Sequence, residues 1–149
     1  FNSPMEQNPG IPLQHFDVVY SIYGLGWSVD LQKVFHLAHS YLKRGGIFVF
    51  SWDNPLLPCL EYKDESYILE RSYVDEFRFH ILKKGEELSL KNWKLSSYIN
   101  GLAEAGFRIE RLIEESAGAK EDAPWTDTWY SAHKAKLLHH TFIIKARKE

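Results

Sequence analysis

Four side chains with chemical potential stand where apolar runs of the chain end. Tyr23 follows Phe16-Asp17-Val18-Val19-Tyr20-Ser21, Asp53 closes Ile47-Phe48-Val49-Phe50-Ser51-Trp52, and Trp27 and Trp52 lie beside them. A phenol and a carboxylate among indole rings can orient a small organic ligand. Either polar group is also a candidate proton acceptor. Tyr73 and His80 extend the set of polar groups able to face a substrate. Each has a competing reading. Asp53 opens Asp-Asn-Pro, which favours a turn. His80 lies in a strand pattern, where a surface or satisfied histidine is ordinary. Trp27 and Trp52 suit a core as well as a pocket wall. No residue stands out as catalytic. His36 and His39 share a helix face, but no third ligand accompanies them, so no metal site is expected. Cys59, beside Pro58, reads as a small buried hydrophobe rather than a nucleophile. Gly24-Leu25-Gly26 is the only Gly-x-Gly and lacks the third glycine of a dinucleotide loop.

The elements that must hold these residues follow from periodicity. The first fifteen residues contain Pro4, Pro9, Gly10 and Pro12 and read as loop. Residues 16–21 do not alternate, which predicts a strand buried on both faces. Ser28 or Asp30 can cap the next helix. Its stripe is Leu31, Val34, Phe35, Ala38, Tyr41 and Leu42. Lys43 and Arg44 suit its C-terminal end, and Gly45-Gly46 its stop. Residues 47–52 form a second buried strand, making a right-handed parallel strand–helix–strand unit. Residues 67–73, the alternating 77–81, a turn at 83–86 and the alternating 88–90 predict an antiparallel meander. Ser96 or Ser97 caps a helix closed by Gly106. Residues 107–113 alternate as a strand with one solvated face. A loop from Gly118 to Thr126, a helix over 128–138 and a final strand over 140–146 complete the chain.

Composition bounds the rest. The 149 residues suffice for one domain with a core. Hydrophobic residues at 44% and charged residues at 26% exclude disordered and fibrous classes. Eighteen basic against twenty acidic residues leave no field to attract nucleic acid or an anionic membrane. No apolar run is long enough to cross a bilayer. One cysteine excludes a disulfide framework and fits a reducing cytoplasm. The opening Phe1-Asn2-Ser3-Pro4 has no basic or apolar signal region, so no signal peptide is expected. Aromatic residues reach 15%, which marks a core, a lined pocket or both.

These residues carry a resemblance. The Phe-Asp strand at 16–21, the capped helix, Leu42-Lys43-Arg44-Gly45-Gly46 and the apolar strand after it resemble the fourth and fifth strand region of class I S-adenosylmethionine-dependent methyltransferases. Arg44 stands where that family usually has proline. Ala105-Gly106-Phe107 resembles the opening of the sixth strand, and His140 to Lys148 the seventh, which in that family lies antiparallel between the fifth and sixth. The resemblance implies an α/β, Rossmann-like, mostly parallel sheet with a small antiparallel insert over about 60–94, acting as a lid. It implies S-adenosylmethionine as cofactor and a small-molecule substrate taking a methyl group by in-line displacement. Ser3-Pro4-Met5-Glu6 resembles the loop after the third strand, which contacts adenine, although Pro4 replaces the usual aspartate. By the same resemblance Met5, Ser21 and Ile22 contact the cofactor. Open α/β sheets bind ligands at the C-terminal ends of their strands. That places Tyr23, Trp27, Trp52, Asp53 and Tyr73 on the substrate. The family's glycine-rich loop and ribose-binding acidic residue are not found. The chain is therefore expected to be the C-terminal part of a cytoplasmic enzyme, binding cofactor poorly by itself. The alternative is a non-catalytic module that pairs through an exposed sheet edge, giving a homodimer.

Overall fold

In the computed structural model, residues 2–115, 124–126 and 128–149 are described. A four-stranded sheet forms the frame. Its strands are β1 (Phe16–Ile22), β2 (Leu42–Asp53), β7 (Phe107–Glu115) and β8 (Thr141–Lys148), in the order β1-β2-β8-β7. Helices α1 (Leu31–Tyr41) and α2 (Leu95–Glu104) follow β1 and precede β7. Two hairpins, β3 (Leu60–Lys63) with β4 (Ser66–Leu69) and β5 (Phe77–Lys83) with β6 (Glu86–Asn92), lie between β2 and α2 in the chain.

The sheet is mixed, which corrects the expectation of a mostly parallel one. β1 pairs parallel with β2, from Val18 opposite Ile47 to Ile22 opposite Ser51. β8 runs antiparallel to both β2 and β7. The last strand therefore inserts between two strands that point the same way and reverses both pairings. This antiparallel insertion is the one implied by the resemblance of the last strand to the family's seventh, although no strand's local pattern records it.

Alternation along β2 and β8 sets the core. Phe48, Phe50, Trp52, Phe142, Ile144 and Ala146 are buried on one face. Against them pack Leu31, Val34, Phe35 and Ala38 of α1 and Tyr98 and Leu102 of α2. The two helices approach closely at Gly101, where a Cβ would lie 3.0 Å from both Gln32 Oε1 and Phe35 Cδ2. β1 is not buried on both faces as expected. Val19 packs on the core, but Val18, Tyr20 and Ile22 are 52%, 72% and 69% exposed. An apolar run reads the same whether a neighbour covers it or not.

Local chemistry corrects several boundaries. Asp30, not Ser28, caps α1, its side chain accepting from the Lys33 N–H. The helix ends at Tyr41, and Gly45, at φ +76°, lies inside β2 where its register with β1 shifts. Those glycines thus serve a bulge rather than a helix stop. Neither Ser96 nor Ser97 caps α2: its N-cap is Lys94, without a side-chain cap, and the Ser97 hydroxyl donates to Glu76 instead. The expected meander is two separate hairpins, and the strand expected over 67–73 stops at Leu69. The helix expected over 128–138 is only a single turn at Lys134–Lys136. Most of the loop expected from Gly118 falls outside the described residues. No described helix is long and apolar enough to cross a membrane.

Candidate functional site

The ends of β1 and β2 build the site. After Ile22 the chain turns sharply: Tyr23 takes a left-handed φ of +49° while its N–H still donates to the Ser51 carbonyl. Such a conformation at a non-glycine residue is strained and persists only where its surroundings hold it. Here the ladder bond to Ser51 and a hydrogen bond shared with Thr141 Oγ1 hold it. The next residues form one tight turn, Leu25–Trp27, with Leu25 buried beneath it. That turn presents Trp27, 42% exposed, beside the end of β1. Gly26 exists for space: a Cβ on it would lie 1.9 Å from Trp52 Cζ2. Gly24 is similar, since its Cβ would fall 2.5 Å from Ser21 Oγ. The Gly-x-Gly pair therefore seats the Trp52 ring and Ser21.

At the end of β2, Trp52 is nearly buried and Asp53 follows on the opposite face. The Asp53 carboxylate accepts from Tyr130 Oη at 2.7 Å on one oxygen and from Trp129 Nε1 at 3.1 Å on the other. Burial raises its pKa above the ordinary value, and these two hydrogen bonds partly oppose that shift. The Tyr130 hydroxyl is pushed up as well, first by burial and then by the carboxylate it bonds to.

Between these strand ends and β5 and β6 lies a cavity of about 500 Å³. Its walls include Tyr23, Trp27, Trp52, Asp53, Phe79 and Trp129. Phe79 stacks on Trp129 with ring centroids 5.9 Å apart, tying the second hairpin to the far wall. The size and the mostly apolar lining with few polar groups suit a small organic ligand.

Four of the five substrate residues expected from sequence, Tyr23, Trp27, Trp52 and Asp53, thus line one cavity. Tyr73 does not. Its hydroxyl accepts the Leu95 N–H at the start of α2, where it satisfies a donor left without a helical partner. Sequence reasoning missed Trp129 and Tyr130, which lie in the stretch read as a helix. The adjacent Trp-Tyr pair was the available signal. His80 is half-exposed on its hairpin, 3.8 Å from Glu87, and Cys59 is buried.

The three residues expected on the cofactor are not together. Met5 and Ser21 share a shallow groove of about 250 Å³ between β1 and α1 with Val34 and Phe48. Ile22 points from the opposite face of β1 and is exposed. The first segment is fastened there by Glu6, whose carboxylate accepts from the Ser28 hydroxyl at 2.7 Å and the Val29 N–H at 2.8 Å. Burial works against ionisation of Glu6, but these hydrogen bonds prevail and its pKa is lowered. Among the described residues no group of three or more His, Cys, Asp or Glu could hold a metal ion.

No protein-family profile matches the chain. Solved structures do. The chain superposes over its full length on 68% of a Listeria monocytogenes protein assigned as an S-adenosylmethionine-dependent methyltransferase, with TM-score 0.75 and 21% identity. It superposes over 98% of its length on 67% of an S-adenosylmethionine-dependent methyltransferase from Mesorhizobium loti, with TM-score 0.71 and 23% identity. A Haemophilus influenzae protein of uncharacterised function is 23% identical over 99% of the chain, which spans 60% of that relative's length. The chain has the fold of the class I S-adenosylmethionine-dependent methyltransferases.

Proposed function

We propose that this chain is the substrate-side portion of an S-adenosylmethionine-dependent methyltransferase that acts on a small molecule. The observation that carries the reading is the aromatic cavity at the C-terminal ends of β1 and β2, with a desolvated carboxylate in its wall. Open α/β sheets bind ligands at that position. The second hairpin, β5 with β6, supplies part of the cavity wall through Phe79, Ile81 and Leu90 and acts as its lid.

The cofactor fits the described residues in part. The Ser21 hydroxyl makes no hydrogen bond to another described residue, and it stands beside Met5 and Gly24 at the mouth of the groove on β1. Ser21 and Met5 would hold the methionyl end there, and the Ile22 side chain, on the opposite face of β1, would not reach it. Glu6 is already engaged by Ser28 and Val29, so it is not available for ribose hydroxyls. When bound, the cofactor supplies an electrophilic methyl group. The chain's own work is to align an acceptor in the cavity, exclude water with its indole walls and hold the acceptor's proton at Asp53. Fold alone does not fix chemistry, so the reading rests on the cavity. A partial cofactor site implies binding weaker than micromolar in a calorimetric titration.

Ultraviolet crosslinking with methyl-labelled S-adenosylmethionine, followed by peptide mapping, tests this function. Label concentrated in residues 3–27 supports it. Label spread evenly, or on β7, overturns it.

A second reading is favoured by one observation. β1 pairs with a single neighbour among the described residues and exposes Val18, Tyr20 and Ile22. In a longer polypeptide further segments would cover this strand; in the chain alone it suits pairing with a second copy. Sedimentation velocity separates the two: a concentration-dependent dimer supports self-association, and a monodisperse monomer rejects it.

A further inference from the structure

We infer that the cavity between β1, β2 and the second hairpin selects an organic cation, an aryl or alkyl ammonium, with Asp53 as its anionic anchor. The inference rests on reading this cavity as the substrate site. Its walls supply both halves of cation recognition. One half is the carboxylate. Among the described residues Asp53 is the only acidic one lining the cavity, and no Lys, Arg or His lies within ion-pair distance of it. Its two fixed hydrogen bonds come from neutral donors, Tyr130 and Trp129. An ionised carboxylate has about four acceptor sites, so half of its capacity is left for a ligand. A desolvated carboxylate without a cationic partner is unfavourable, and a ligand ammonium relieves it.

The other half is the rings. Tyr23, Trp27, Trp52, Trp129 and Tyr130 all line the same space. Tyr23 is 6.2 Å from Trp52 and 6.5 Å from Tyr130 between ring centroids. The negative faces of indole and phenol rings attract a cation, tryptophan most strongly. An anionic ligand meets a carboxylate without a counter-charge, and a neutral alcohol gains little from either feature. The remaining charged lining residue, Lys83, ends β5 at the hairpin tip. It forms no ion pair with Asp53, so the carboxylate is left to a ligand.

The test is a tryptophan-fluorescence titration of the chain without cofactor, using 4-phenylbutylamine, 4-phenylbutanol and 4-phenylbutyrate as matched probes. The amine is expected to bind about tenfold more tightly than the alcohol, and the butyrate most weakly. Asp53→Asn keeps the size of the side chain and removes its charge, so the amine's advantage should vanish while butyrate gains. If Asp53→Asn does not fold by circular dichroism, Trp27→Leu serves instead, since Trp27 is 42% exposed, and it should reduce the amine's advantage. S-Adenosylhomocysteine, added as a competitor, distinguishes a substrate pocket from a cofactor pocket: no displacement of the amine is expected, and full displacement overturns the assignment. Equal binding of the amine and the alcohol, or a preference for butyrate, also overturns it. Because no cofactor is needed for the titration, such a failure leaves the methyltransferase reading standing and is distinguishable from a failure of the crosslinking.

Discussion

Replacing Gly26 with alanine tests whether the site is built by packing. Gly26 is buried in the turn Leu25–Trp27 and needs no left-handed backbone, so the only obstacle is space. A Cβ there would lie 1.9, 2.3 and 2.8 Å from three atoms of the Trp52 ring. Carbon pairs are most favourable near 3.5–4.0 Å, about 1–2 Å further apart. The ring is only 7% exposed, so it cannot swing freely into solvent. Overpacking of this kind costs about 1–3 kcal/mol. Alanine also restricts the unfolded chain, which returns about 0.4–1 kcal/mol. The net loss should be about 1–2 kcal/mol, or a Tm lower by about 2–8 °C for a chain of this size. Urea denaturation followed by tryptophan fluorescence measures it. Gly26→Ala should lose this stability in the native background and almost none in a Trp52→Leu background, a coupling of about 1 kcal/mol or more. A Gly26→Ala variant as stable as its parent, or an equal loss in both backgrounds, refutes the reasoning.

Three further outcomes follow from the side-chain environments. Asp53 has a raised pKa, so the folded state holds its proton more tightly than the unfolded state and stability is lost as pH rises through the folded value. Asp53→Asn should therefore gain on the parent protein above the ordinary carboxyl value of 3.8 and show no such gain below it, in urea denaturation from about pH 3 to pH 7. Glu110 behaves oppositely. Hydrogen bonds from Arg147 and then Lys145 hold its pKa down at about 2, so its contribution is present above 4.5 and fades as pH falls toward 2. Glu110→Gln should flatten the acid limb of the stability curve in that window. The Tyr98 hydroxyl is wholly buried with no partner among the described residues. Tyr98→Phe should raise stability by about 1 kcal/mol in thermal denaturation, and a comparable loss would show that the hydroxyl has a partner.

The sequence made some features of this fold legible because their causes are local. The stripe of α1 and its Asp30 cap are written within twelve residues. The second hairpin is legible for the same reason: Phe79 and Ile81 alternate with polar residues up to a Lys-Gly turn, and the chain folds back there. The insertion of β8 between β2 and β7 depends on pairing across the whole chain, and no local period records it. The exposure of β1 was hidden because a covered and an uncovered apolar strand share one sequence pattern. The start of α2 was misread because serine is a good cap only where its hydroxyl is free, and Glu76 takes the hydroxyl of Ser97.

The site divides along the same line. Tyr23, Trp27, Trp52 and Asp53 were legible because the ends of parallel strands converge whatever the rest of the chain does. Tyr73 lies in a turn between β4 and β5, and its direction is set by the packing of α2, which no spacing reveals. Trp129 and Tyr130 are brought to Asp53 from 76 and 77 residues away by the return of the chain into β8. Their stretch was read by helical spacing, but its contacts are made by side chains that reach across to another element.

The proposed methyltransferase site, at the C-terminal ends of β1 and β2, sets the cofactor's methionyl end against Ser21 and the substrate against Asp53. Backbone amide chemical shifts of the isotope-labelled chain, recorded while S-adenosylmethionine is added, test it most directly. Saturable, weak shifts are expected, confined to Met5, Ser21, Ile22 and Gly24 and spreading no further than the cavity lip at Tyr23. Shifts centred on α2 or β7, or none at saturating cofactor, would contradict it.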